Sequence, residues 1–219
     1  MVTSRIDEPL RSGGGRNDLS PNRYGFRAGR STTDAIDRPE SGTLHRCGVA
    51  IAVSVDIKNA FNSVPWSSIR DGLASKSDTD YLMSIIGSFL SERKITYEKP
   101  DGTTGRIYVF CGVPQGSVLR PLLWNIAYDC VLTQTILSEC LSLTCFAGNT
   151  LLFLVTGRRW ADAREREEAG LNATVEAIRA IGLRVSLPKT EACGFLRARN
   201  SRPRDLFLST DEVRIGVEF

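Results

Sequence analysis

The stretch VAIAVSVDIKNAFNSV, residues 49–64, decides the fold. Its first nine residues are rich in β-branched side chains and predict a buried strand. Asp56 places a charge at the close of this apolar run. Ser63 and Pro65 then give helix-start signals. The sequence therefore predicts a buried strand that ends near a carboxylate and leads into a helix.

The elements on either side follow an α+β order, not a regular βαβ repeat. In chain order, the patterns after residue 64 predict a short helix around 69–73, a helix over 78–93, a hairpin over 94–113, a helix over 117–132, a hairpin turning at Gly148-Asn149, a helix over 160–181, and strands over 183–187 and 192–197. Gly182 is expected to cap the long helix that precedes it.

Composition limits the class of protein. The 219 residues, 42% hydrophobic and 24% charged, are ordinary for a globular chain. A net charge of +3 permits a nucleic-acid partner without arguing for one. No apolar run approaches the ~20 residues of a membrane span, and the N-terminus has no secretory pattern. We therefore expect an intracellular protein, nuclear or cytoplasmic, with no membrane partner.

The six cysteines form no C-x-x-C pair, and the only histidine is His45. A structural zinc site and a disulfide framework are therefore not expected.

Four ordered blocks carry a family resemblance. They are residues 23–32 (RYGFRAGRST), 55–64 (VDIKNAFNSV), 112–119 (GVPQGSVL) with 121–125 (PLLWN), and 181–183 (IGL) with 189–190 (KT). Together they resemble the reverse transcriptase domain of a non-LTR retrotransposon, similar to the arthropod elements that insert into ribosomal DNA. The resemblance covers about residues 20–219.

The resemblance implies the fingers and palm of a right-hand polymerase, with a small antiparallel sheet backed by helices and the thumb missing. Residues 1–20 would be a flexible N-terminal remnant, 21–48 partial fingers, and 49–219 the palm with inserted fingers elements, as one domain cut at both ends. The implied activity is RNA-directed DNA synthesis from dNTPs on an RNA template and a DNA primer. Two Mg²⁺ ions would stabilise the attacking and leaving oxygens.

The resemblance places Asp56 at the position of the first metal-binding carboxylate. The same residue taken alone could be a strand-end or helix-capping aspartate. Lys189 matches a lysine near the leaving pyrophosphate, where a cation would stabilise developing charge. Its alternative is a solvated loop lysine.

Other residues match substrate-binding positions of the family. Phe61 resembles the bulky residue that excludes a ribose 2′-OH, although a core aromatic is compatible with its position. Gln115 and Gly116 resemble the motif lying against nucleotide and template, although a Pro-Gln-Gly turn also introduces helices. Arg27 and Arg30 could contact phosphates or be solvated surface arginines.

The chain departs from the family pattern at its metal site. Where the family has two adjacent aspartates, this chain has Gly148 and Asn149, which leaves Asp56 as the only carboxylate of three. Arg120 is a second departure, because the family has glycine there. We therefore expect weak or absent Mg²⁺ binding and an inactive polymerase domain. The alternative is a non-catalytic nucleic-acid-binding remnant or domesticated module.

Overall fold

The computed structural model describes residues 19–36, 49–76, 80–134, 141–156, 159–196, 206–210 and 214–218. The expectations for residues 1–18, for His45, and for the helix start at residue 78 lie outside these ranges. The described chain falls into two compact units, one over Asn59–Tyr128, which also includes Leu19, and one formed by Ser20–Lys58 with the chain from Asp129 onward.

The elements are, in chain order, β1 (Val49–Asp56), α1 (Ala60–Ser63), α2 (Trp66–Lys76), α3 (Asp80–Leu90), β2 (Lys94–Glu98), β3 (Thr104–Tyr108), α4 (Arg120–Gln134), β4 (Leu141–Phe146), β5 (Asn149–Thr156), α5 (Trp160–Ala180), a 3-10 turn (Leu187–Lys189), β6 (Glu191–Leu196), β7 (Phe207–Ser209) and β8 (Arg214–Glu218). Residues 32–36 are also helical.

The unit that contains β1 is built on a six-stranded sheet with the order β4-β5-β1-β6-β8-β7. Its neighbouring strands are antiparallel except β6 and β8, which are parallel. Helix α5 packs on β1, β5 and β7, and it buries Leu171, Val175 and Ile178. Strand β1 is buried on both faces over residues 49–53, as its unbroken apolar run predicts.

The unit over Asn59–Tyr128 is mainly helical and carries a two-stranded hairpin of β2 and β3. Helices α2 and α4 approach closely, because a Cβ added to Gly72 would lie 2.5 Å from the carbonyl oxygen of Ile126. The indole nitrogen of Trp66 donates to the carbonyl of Gly112 at 2.9 Å. This bond ties the start of α2 to the loop that precedes α4.

The α+β prediction and the order of the main elements are confirmed, including Gly182, whose φ of +78° ends α5. The strand predicted over 183–187 is wrong. Val185 makes a single bridge to Ile57, and Ser186 donates its N–H to the carbonyl of Asp56 at 2.8 Å. Val185 and Ser186 therefore contact the end of β1 and its next residue, without forming a strand. The 3-10 turn follows, and Pro188 within it has no N–H to donate to a neighbouring strand.

No helix in the described ranges is long and apolar enough to cross a membrane.

Candidate active site

Asp56 and Asn149 are direct partners in the sheet. Asp56 is the last residue of β1, Asn149 is the first residue of β5, and their Cα atoms are paired in the antiparallel ladder. The Asp56 side chain is 25% exposed. Asp56 therefore lies beside the Gly148-Asn149 positions, as expected.

The turn between β4 and β5 lies one residue earlier than predicted. Phe146 pairs with Asn149, so Ala147 and Gly148 form the tight turn and Asn149 belongs to the ladder. Ala147 has a φ of +54°, a left-handed conformation that L-residues adopt at a cost. The pairing of β5 with β1 fixes this register and overrides the turn preference of the Gly-Asn dipeptide.

The loop at residues 20–25 is bonded to the edge of this hairpin. Tyr24 donates its N–H to the carbonyl of Cys145 at 2.8 Å, and Cys145 donates to the carbonyl of Asn22 at 2.9 Å. A Cβ on Gly25 would lie only 2.1 Å from the nitrogen of Ala147. Only glycine allows the loop to approach the turn this closely.

Arg23 is a buried cation beside the same turn. The residue is 0% exposed, and its Nη1 donates to Cys145 Sγ at 3.0 Å and to the carbonyl of Ala147 at 3.3 Å. Burial raises the pKa of the Cys145 thiol, although the Arg23 charge opposes that shift. Local sequence does not indicate this role, because an arginine in a polar loop is usually exposed.

Lys189 lies beside Asp56, with its Nζ 3.6 Å from Asp56 Oδ2. The segment before it is fixed to β1 through the Ser186 bond and through Lys58, which donates its N–H to the carbonyl of Arg184 at 2.8 Å. The Lys189 side chain is 73% exposed. An ion pair so open to solvent adds little stability, but it puts a cation next to the carboxylate.

Phe61 lies in α1 within the unit over Asn59–Tyr128. Its ring centroid is 5.2 Å from that of Trp124, and the guanidinium of Arg120 lies over the ring at 4.5 Å from the centroid. Trp124 in turn stacks on Tyr128 at 5.1 Å. Arg120, Trp124 and Tyr128 are spaced by four residues, so they share one face of α4. The unexpected Arg120 is therefore an integral part of an aromatic cluster.

Gln115 lines a cavity of about 400 Å³ in the same unit, together with Asn62, Arg93 and Val113. The Gln115 side chain is exposed. Gly116 has a φ of +82°, with open space where a Cβ would stand.

The two fingers arginines bond to their own loop. Arg27 Nη1 donates to the carbonyl of Ser20 at 2.9 Å. Arg30 Nη1 donates to the carbonyl of Pro21, and its guanidinium lies 4.9 Å from the Tyr24 ring centroid. Both side chains thus stabilise the fold of residues 20–30.

The residues present do not fit a two-metal centre. Hard divalent cations need several oxygen ligands, mainly carboxylates. In the described parts of the chain, no group of three or more His, Cys, Asp or Glu side chains is placed to hold a metal ion. At the three expected ligand positions only Asp56 is a carboxylate, and its neighbour Lys189 is a cation.

Comparison with known proteins gives relatives in mobile genetic elements. The chain is 34% identical over 144 residues to a putative 115 kDa protein in the type-1 retrotransposable element R1DM of Drosophila melanogaster, covering 65% of this chain. It is 31% identical over 132 residues, or 58% of the chain, to a probable RNA-directed DNA polymerase from transposon BS of the same organism. The matched part spans 14% of the length of each relative.

Solved structures show the same fold at low sequence identity. Apo telomerase from Candida tropicalis, truncated from its C-terminal domain, superposes with a TM-score of 0.69 at 11% identity, over 94% of this chain and 41% of that one. The model of the family described as reverse transcriptase (RNA-dependent DNA polymerase) matches residues 2–214. This chain therefore belongs to the reverse transcriptase family, as a domain of the non-LTR retrotransposon type.

Proposed function

We propose that this chain is a reverse transcriptase domain that keeps the polymerase fold without catalysing nucleotide transfer. Members of the family generally use a divalent metal. The supporting observation is the pairing of Asp56 with Asn149 at the end of β1, which leaves one carboxylate where three are needed.

The missing charges bear directly on the chemistry. Two-metal transfer depends on cations that neutralise the attacking and leaving oxygens. Mg²⁺ dehydrates reluctantly and selects carboxylate ligands, so a glycine and a neutral asparagine are poor replacements. Removing one strong electrostatic stabiliser costs about 10²–10³ in rate, and here the ligand set itself is incomplete.

In an active relative of this design, the substrates would be an RNA template, a DNA primer and dNTPs. The residue at the position of Asp56 would bind Mg²⁺, and the residue at the position of Lys189 would lie near the leaving pyrophosphate. Phe61, Gln115 and Gly116 would face the incoming nucleotide, as the resemblance implies. For Arg27 and Arg30, the bonds to their own loop favour a role in shaping the fingers over direct phosphate contact.

The test restores the carboxylates. Mg²⁺-dependent dNTP incorporation on a primed RNA template is measured for the natural chain and for the double variant Gly148→Asp/Asn149→Asp. We expect no incorporation by the natural chain and measurable incorporation by the double variant. The matched control is Gly148→Asn, which adds side-chain bulk without charge and should remain inactive. Incorporation by the natural chain would refute the proposal.

A second candidate function is nucleic-acid binding without catalysis, and one observation favours it. A cavity of about 560 Å³ is lined by Lys58, Arg179 and Arg184, and of these Arg179 is paired with Glu176 at 2.7 Å. Cations that neutralise phosphates make binding fall steeply with salt. We expect Arg184→Ala to lower affinity for primed template uniformly across sequences and to reduce the salt slope by about 1. Binding that ignores salt would exclude this function.

A further inference from the structure

The hairpin of β2 and β3 leaves one strand edge open. Val109 donates its N–H to the carbonyl of Arg93 at 2.9 Å, and Lys99 donates to the carbonyl of Thr103 at 2.8 Å. Hydrogen-bonded pairs alternate along an antiparallel ladder. In the observed register, the backbone groups of Ile95 therefore also face β3.

The backbone N–H and C=O groups of Lys94, Thr96 and Glu98 consequently point away from β3. In the described parts of the chain, no strand pairs with that side of β2. Such an edge is a template for another strand.

The side chains of the hairpin are also uncovered. All five residues of β2 are exposed, including Ile95 at 58% and Tyr97 at 44%. Ile107, the cross-strand partner of Ile95, is 53% exposed. The Tyr97 ring lies over Gly105, since a Cβ there would be 2.5 Å from the ring. A two-stranded hairpin with an open apolar face is marginally stable alone, and further strands stabilise it.

The sequence of β2, KITYE, is complementary to itself in the antiparallel direction. When Thr96 is placed opposite Thr96 of a second copy, Lys94 lies opposite Glu98 and Ile95 lies opposite Tyr97. Opposite charges and aromatic–β-branched pairs are favourable across strands. This register also places the outward N–H and C=O groups of the two copies opposite one another. The same register therefore satisfies both the backbone hydrogen bonds and the side-chain pairs.

We propose that β2 pairs antiparallel with β2 of a second copy of this chain, centred on Thr96, to form a four-stranded sheet in the order β3-β2-β2-β3. A parallel pairing in register is disfavoured, because it sets Lys94 beside Lys94 and Glu98 beside Glu98. The interface is small compared with the ~1,200 Å² lower limit of stable complexes. The dimer is therefore weak and dependent on concentration.

Charge reversal tests the register in the full chain. Sedimentation velocity is recorded from about 1 µM to about 500 µM, because a weak dimer has a Kd in the micromolar to millimolar range. Lys94→Glu and Glu98→Lys each set like charges opposite one another twice in the symmetric dimer, so each should lower the association constant about tenfold or more. The double variant Lys94→Glu/Glu98→Lys restores opposite charges and should restore the dimer.

A proline pair tests the edge. Thr96→Pro removes an outward N–H from β2 and leaves the bonds to β3 intact, so it should abolish the dimer. Thr104→Pro makes the same change on the outer edge of β3 and should leave the dimer unchanged. A natural chain that stays monomeric throughout would overturn the proposal. So would a dimer that survives both single charge reversals, or one that Thr104→Pro abolishes and Thr96→Pro does not.

Discussion

The carboxyl group of Glu167 lies on the buried face of α5, where the residue is 0% exposed. Neither of its oxygens has a hydrogen-bond partner among the described residues. Burial raises the pKa of Glu167 from 4.5 to about 8, because the ionised form loses its hydration. The folded chain thus holds this group as a neutral acid at neutral pH.

Stability should therefore fall as the pH rises from about 4.5 to about 8, because in that window the unfolded chain releases the proton that the folded chain keeps. Glu167→Met should remove this slope and stabilise the protein at pH 8 by about 1–3 kcal/mol, since an unsatisfied buried group is lost. Urea unfolding at several pH values measures the effect. The same change at the exposed Glu165 is the control and should alter little. A larger gain at pH 5 than at pH 8 would contradict the assignment.

Gly25 should not tolerate a side chain. Gly25→Ala should destabilise the protein by more than about 2 kcal/mol, because the new Cβ meets the backbone of Ala147. Gly87→Ala in α3 meets nothing within 4 Å and should stabilise by about 0.5–1 kcal/mol through helix propensity. Thermal unfolding measures the stability of both variants. A loss of stability at position 25 together with a gain at position 87 would confirm that the close approach of Gly25 to the backbone of Ala147 causes the destabilisation, and not the replacement of a glycine as such.

Prediction from sequence succeeded where one residue pattern implies one environment. Asp56 stood out because a charge closed an apolar run, and its place at the end of β1 followed from that run. Arg23 and Glu167 were missed because each lies among polar residues in sequence. Their burial comes from partners far along the chain, such as Cys145 for Arg23, which local patterns do not encode.

At the scale of elements, the long helix and the main strands were predictable because their periodicity is strong. The exact turn between β4 and β5 was not, since cross-strand pairing with β1 fixes it. Strands β7 and β8 were also missed. They have three and five residues, and β8 joins the sheet by a parallel pairing with β6 that short-range patterns do not predict.

The turn itself offers a prediction about the β4–β5 hairpin. Ala147 holds a φ of +54°, so Ala147→Gly should relieve left-handed strain. The net gain should be about 0.5–1 kcal/mol, because the more flexible unfolded chain offsets part of the relief. Ala169→Gly, at an exposed helical site in α5, should instead lose about 1 kcal/mol. Chemical denaturation of the two variants compares them, and equal losses would show that Ala147 is not strained.

At the scale of the whole molecule, ordered sequence blocks identified the family although no single block was specific. The placement of Asp56 beside residue 149 followed from the blocks, while the contacts of Lys189 and Arg120 needed the structure. Related folds carry different activities, so the roles proposed for these side chains rest on their chemistry.

The effect of Mg²⁺ on the melting temperature should differ between the natural chain and the variant Gly148→Asp/Asn149→Asp. A ligand stabilises the state that binds it. Because the natural chain has only one of the three expected carboxylates, Mg²⁺ should leave its melting temperature unchanged within about 1 °C. Gly148→Asp/Asn149→Asp should be less stable without metal, since three carboxylates then repel each other. Mg²⁺ should raise its melting temperature by about 2–5 °C. Differential scanning fluorimetry records both, with Ca²⁺ as a comparison cation. Equal responses of the two chains would contradict this account.

The backbone of Gly25 lies close to that of Ala147, so main-chain contacts hold the turn between β4 and β5. Main-chain bonds to residues 22–24 and the missing side chain at residue 25 shape this hairpin. Glycine and asparagine codons can each be converted to an aspartate codon by a single base change, so two point mutations would place the expected aspartates on a turn that main-chain contacts already hold.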